Sequence, residues 1–456
     1  MSFRADRSLP TRLLFALGLC ATILLWRPTL VMAQRGFGGA SVGGVKIDAE
    51  GLLKSSTPAE VNVLEQLRQE SLEPIAGDLK RPAELRKVSL RRLETELAAR
   101  DRADRPLDDA MRYLAGLQRI RYVFVYPDEH DIVVAGYAEP WKIDAHGNTV
   151  GASTGRAVML LDDLIVALRT VRAGEGEISC SIDPTPDGLV RLRQYAAQEG
   201  AFTDPQRDAH TIEQLLGPQT ISISGVAPTT HFARVMVAAD YRMKRLGMKL
   251  DPPPIAGLPS YVDMMRTNTR GMQSVTPRWW MVPDYDPLLV DGQGLAWEIG
   301  RASVKTLTEE TVFGEQGSKT RSRKLNPAAQ GWARNFTNKF DDLALKDTIF
   351  GQLRNCMDMA VLAALIVKQD LSGTADYQLP LWLDDVNLPA AEMIVPRTTD
   401  TQVSYTRRAN NWIVTASGGV QLALEQLVSR TQQSAKVGLV REQAKAAADV
   451  QSWWWD

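Results

Sequence analysis

Apolar side chains recur every three or four residues along 326–369, and this stretch constrains the fold more than any other region of the chain. Asn326-Pro327 supplies a helix start, with Asn as the cap and Pro in the first turn, where a missing N–H costs nothing. Trp332, Phe336, Phe340 and Leu343 make a first stripe. Ile349, Leu353, Cys356, Ala360, Ala363 and Val367 continue at alternating spacings of four and three, the seam of a helix packed on another helix. The run Met359 to Val367 is apolar but too short to span a membrane, which takes about 20 residues. Asp358 follows Arg354 by four, which predicts a local ion pair.

Other stretches read as a mixture of helices and strands. Residues 57–100 favour an amphipathic helix. Tyr122–Tyr126 and Ile132–Ala135 read as two strands of a hairpin turning at Pro127-Asp-Glu-His130, and Asp144-Ala-His-Gly147 as a further turn. Leu161–Val171 is a short helix. Ile178-Ser-Cys-Ser-Ile182 and, 43 residues later, Ile221-Ser-Ile-Ser224 each open a strand–turn–helix unit with Pro and Thr at the helix start. The second of these helices carries the stripe Phe232, Val235, Met236, Ala239, Met243 and Leu246, with Asp240 four residues before Lys244 as a surface ion pair. Arg278–Phe313 is β-rich, with Leu295, Trp297 and Ile299 alternating as a core face requires. Trp412–Thr415 is a strand, and Ser417-Gly418-Gly419 is a tight hairpin turn needing positive φ.

These elements give an α+β fold in two or three subdomains. The expected organisation is a signal peptide over 1–33, a Gly-rich disordered linker over 34–56 and an N-terminal α+β domain over 57–250. A Pro/Gly linker over 251–277, a β-rich and long-helix domain over 278–433 and a polar helical tail over 434–456 follow.

The export expectation rests on three features. Arg4, Arg7 and Arg12 form a basic start, Leu13–Trp26 an apolar core, and Val31-Met32-Ala33 a small-residue cleavage site. Removing this segment, with its four Arg and one Asp, changes the net charge from −1 to −4. That balance argues against nucleic-acid binding, which shows a basic face. No transmembrane span is expected after cleavage. Cys180 and Cys356 remain and both read as buried; one disulfide between them, or two separate core thiols, are both open.

Metal and cofactor signatures are absent. The four His (His130, His146, His210 and His231) are never within a helical turn of one another, so no metal site and no cofactor is expected. There is no phosphate-cradling loop and no dinucleotide fingerprint. Asp284, Asp286 and Glu298 are the carboxylates best placed for glycoside-type hydrolysis, though acidic pairs such as these or Asp384-Asp385 are common. Trp279 and Trp280 lie in the same β-rich stretch; adjacent strand residues face opposite ways, so one of them is a candidate for gripping a glycan or protein.

Several segments together resemble a family of exported proteins, found mainly in planctomycete-type bacteria and known as a domain of unknown function. They are Arg86–Glu94, Met111–Leu117 running into Tyr122–Pro127, Ile178–Pro184 and Ala239–Lys244. The resemblance implies an extracytoplasmic setting and no particular activity. The leading expectation is a non-enzymatic binding or structural protein of the periplasm or cell surface, with a protein or cell-envelope glycan as partner. An extracytoplasmic hydrolase is the alternative.

Overall fold

The helix Thr348–Lys368 is the axis around which the other elements gather, and every residue from Ile349 to Ile366 is buried. A computed structural model of the chain describes residues 42, 44–47, 52–57, 66, 68–70, 72–174, 176–199, 204–265, 276–309, 311–313, 319–321, 327–406, 412–446 and 454–456. By length and composition the axial helix could cross a membrane, yet helices Leu161–Arg172, His231–Gly247, Phe340–Lys346 and Leu424–Val428 pack around it. Two of its polar side chains find protein partners: Asn355 Nδ2 donates to the Ala157 carbonyl at 2.9 Å, and Asp358 receives Arg119 Nε at 2.7 Å.

Two six-stranded sheets flank this helical core, so the fold is α+β as the alternating periodicities imply. The first sheet runs in the order Thr431–Gln433, Leu288–Val290, Ala296–Glu298, Tyr122–Tyr126, Asp131–Ala138 and Ala83–Ser89. Its strand Tyr122–Tyr126 is buried on both faces. Val123 and Val125 enter the main core, while Tyr122, Phe124 and Tyr126 meet Val437 and Ala444 of the helix Ala435–Ala446. The second sheet runs Ala302–Glu309, Arg278–Tyr285, Ser417–Ala423, Glu177–Asp183, Gln219–Ser224 and Thr398–Thr399. The two Ile-Ser-x-Ser strands are antiparallel neighbours in it, with Ile182 opposite Ile221 and Ser179 opposite Ser224.

Several expectations change. The signal segment 1–33 lies outside the described residues. Some of the stretch read as a disordered linker, 34–56, is folded: Val45–Ile47 and Leu53–Ser55 form an antiparallel hairpin. Val42, Val45 and Leu53 are buried in the core, and Arg234 Nη2 donates to the Val45 carbonyl at 3.0 Å. Within the 57–100 stretch, residues 66 and 68–70 are helical, Ala83–Ser89 is a strand, and a helix starts at Leu90, capped by the Ser89 hydroxyl. Pairing with Asp131–Ala138 overrides the local helical periodicity.

The 251–277 stretch does not separate one domain from another. Both sheets join strands from either side of it, and residues 39–456 gather into one compact unit. Gly418 and Gly419 sit in a strand rather than a hairpin turn. Gly418 does have φ of +130°, and a Cβ there would also strike the Trp279 carbonyl oxygen. The tail adds a helix, Ala435–Ala446, and its last residues, Trp454 to Asp456, lie antiparallel along the outer edge of Ala83–Ser89.

Candidate anion-binding cleft

The three candidate carboxylates sit on different elements. Asp284 and Asp286 belong to the second sheet and the turn after it, whereas Glu298 ends a strand of the first sheet. Glu298 lines a cleft, and there it accepts from Arg121 Nε and Nη2 at 3.2 and 3.1 Å. Asp384 is occupied in capping its own turn, through the Val386 and Asn387 amides.

The tryptophan pair is not an exposed platform either. Trp279 is fully buried, its ring 4.2 Å from that of Trp332 and 5.4 Å from that of Tyr261. Gly247 leaves room for it; a Cβ there would lie 2.8 Å from the indole. Trp280 is half-buried beneath the Arg278 guanidinium, 4.6 Å from its ring centre. Cys180 and Cys356 are separate free thiols, both buried. Burial drives both thiol pKa values upward, which leaves them unsuited to nucleophilic work. Among the described residues, no three His, Cys, Asp or Glu side chains gather as a metal site would require.

What the fold does bring together is arginine. A cleft of about 550 Å³ is lined by Arg119, Arg121, Arg156, Arg301 and Arg354, with Glu298 and Asp341 as its carboxylates. It sits where the chain crosses from the first sheet to the second, between Ala296–Glu298 and Ala302–Glu309. Arg119 and Arg121 alternate as the chain enters the strand Tyr122–Tyr126, so both turn the same way. Ile299 N donates to the Arg121 carbonyl at 2.8 Å, which fixes the crossover against that segment.

Electrostatically the floor of the cleft is uneven. Asp358, fully buried, accepts from Arg119 Nε at 2.7 Å, from Arg119 Nη2 at 3.4 Å and from the Tyr285 hydroxyl. Burial works to lower the Arg119 pKa, but Asp358 outweighs it and the value rises. Burial, together with Asp358, also pushes the Tyr285 pKa far up, so the phenol stays a donor.

Arg354 is left with less. The expected pair with Asp358 gives way to this arrangement, because Asp358 is already engaged by a two-point guanidinium contact and a phenol. Arg354 instead contacts Asp341 Oδ1 through Nη1 at 3.3 Å, and the Ser303 hydroxyl donates to the same oxygen at 3.2 Å. The Arg354 side chain is only 7% exposed whereas Asp341 is 61% exposed. Arg354 Nε is buried without a hydrogen-bond partner. Burial first, and then neighbouring Arg119, lower the Arg354 pKa to about 10. A guanidinium with that pKa is still charged at neutral pH, so the cleft holds positive charge that the protein compensates only partially.

Residues 180–261 match the family described as "Protein of unknown function (DUF1598)". No curated protein and no solved structure matches the chain. The DUF1598 region contributes the paired strands of the second sheet and the helix His231–Gly247, which packs on that sheet and on the axial helix. Every residue lining the arginine cleft lies outside it.

Sequence reasoning missed these arginines. Two local signals were present: the Arg119-Ile120-Arg121 alternation before a strand, and Arg354 within an otherwise apolar seam. Their meeting depends on the crossover between sheets, which no local pattern encodes.

Proposed function

We propose that this protein is a non-enzymatic binding protein of the periplasm or cell surface, and that it holds an anionic ligand in the arginine cleft. The observation that carries the reading is Arg354, a nearly buried guanidinium whose carboxylate partner is a single exposed Asp341 and whose Nε has no acceptor. Guanidinium groups in a cleft of low dielectric attract carboxylates and phosphates strongly and offer them paired donors. The compartment rests on the N-terminal sequence alone. The hydrolase alternative is less well supported, since Glu298 and Asp341 each contact an arginine, an arrangement that neutralises charge rather than moving protons.

Calorimetric titration of the chain at low ionic strength with inorganic phosphate and with small organic carboxylates tests this. Saturable binding that weakens as salt is added is the expected result. Replacing two exposed rim arginines, R121A with R301A, is expected to weaken it about tenfold, or about 1.4 kcal/mol. Absence of binding by every anion would sink the reading.

A further inference from the structure

The cleft already displays the group it is built to receive. Asp341 Oδ1 accepts from a guanidinium and from a hydroxyl, Arg354 Nη1 at 3.3 Å and Ser303 Oγ at 3.2 Å. Ser303 is buried and Arg354 nearly so, whereas Asp341 is largely in solvent. The donors are therefore fixed members of the fold, and the carboxylate is the movable one. Arg354 is a planar fork with five N–H donors, of which Asp341 uses one and the buried Nε has no acceptor. An incoming carboxylate that replaced Asp341 would inherit the hydroxyl contact and could use a second arginine donor.

The rim supplies a second positive locus. Arg121, Arg156 and Arg301 line the same cleft, and of these Arg121 is in an ion pair, with Glu298. Resting on the anion-binding reading above, we infer that the ligand is a small organic dicarboxylate. One carboxylate displaces Asp341 from the Arg354–Ser303 seat, and the other meets the rim arginines. Asp341 is thus a built-in competitor that sets the affinity, and it does not belong to the ligand's own contact set.

The test is calorimetric titration of the full chain and of D341N with glutarate, acetate and inorganic phosphate. Glutarate is expected to bind at least about tenfold more tightly than acetate, because only glutarate reaches both loci. D341N is expected to bind glutarate about fivefold more tightly, since an exposed ion pair of at most ~1 kcal/mol no longer has to be broken. S303A is expected to weaken glutarate binding, the hydroxyl being a ligand contact. Glutarate binding no better than acetate would overturn the dicarboxylate assignment. D341N binding unchanged or weakened would overturn the competitor role. Phosphate binding without any carboxylate binding would overturn the inference while leaving the anion-binding reading intact; silence from all three anions would remove both.

Discussion

Buried charge in this protein ties one element to another, and the partners show which charges are structural. Lys244 Nζ donates to Asp240 at 2.8 Å and to the Ile182 carbonyl at 2.8 Å, which fastens the helix His231–Gly247 to the second sheet. Sequence spacing identified the Asp240–Lys244 pair but placed it on the surface; both residues are buried. Burial pushes the Asp240 carboxyl up to about 6, with Lys244 working against that rise. His231, next to the Thr230 cap, joins the same helix to Leu161–Arg172 through Asp163, with Nδ1 2.9 Å from Oδ2. Burial lowers the His231 pKa, yet Asp163 outweighs it and the net shift is upward. A raised folded-state value means that the stabilisation is fully present below the free-histidine pKa of about 6.5 and fades as pH climbs through the folded one. Thermal unfolding of H231Q should therefore show its largest loss of midpoint below about pH 6.5, with the gap to the parent chain narrowing as the pH is raised above that value. A gap that stays constant with pH would contradict the ion-pair account. Arg354 differs from these residues because its charge faces a cleft and its partner is in solvent.

Among elements, the edge strand Ala83–Ser89 shows how the fold protects itself. The outer edge of such a strand is a template for unwanted pairing. Here the amides of Lys87 and Ser89 donate to the Asp456 and Trp454 carbonyls, each at 2.8 Å. Lys87 Nζ pairs with the Asp456 carboxylate, and Arg86 lies over the Trp455 ring at 5.0 Å. Trp454, 9% exposed, anchors the segment in the main core. Hydrogen exchange is expected to show protected Lys87 and Ser89 amides in the parent chain and fast exchange in W454A; equal protection in both would contradict this seating.

The same strand marks a limit on what periodicity can reveal. The axial helix and the hairpin Tyr122–Ala138 were legible because stripe and alternation extend over many residues. Ala83–Ser89 was not, because its pairing partners lie far along the chain and its own pattern suits a helix. Ser417–Ala423 was hidden for a related reason. Its two glycines signal a turn locally, but they are required by backbone contact with Trp279 and Cys180 on either side.

At the scale of the whole molecule, interleaving of the sheets both makes the cleft and conceals it from the sequence. Strands from both sides of 251–277 build each sheet, so the crossover at Ile299–Arg301 is held between them. Arginines from distant segments then converge at one point. Trp279 and Trp280, the aromatics that looked most available, are consumed by the core and by Arg278. On the reading proposed above, this convergence forms a seat for an anion at Arg354. The most direct measurement is a crystal structure of the chain grown with saturating glutarate. The expected result is a carboxylate within hydrogen-bond reach of Arg354 and Ser303, with Asp341 turned away. A cleft that stays empty at saturation, or a ligand bound elsewhere with Asp341 still on Arg354, would contradict it.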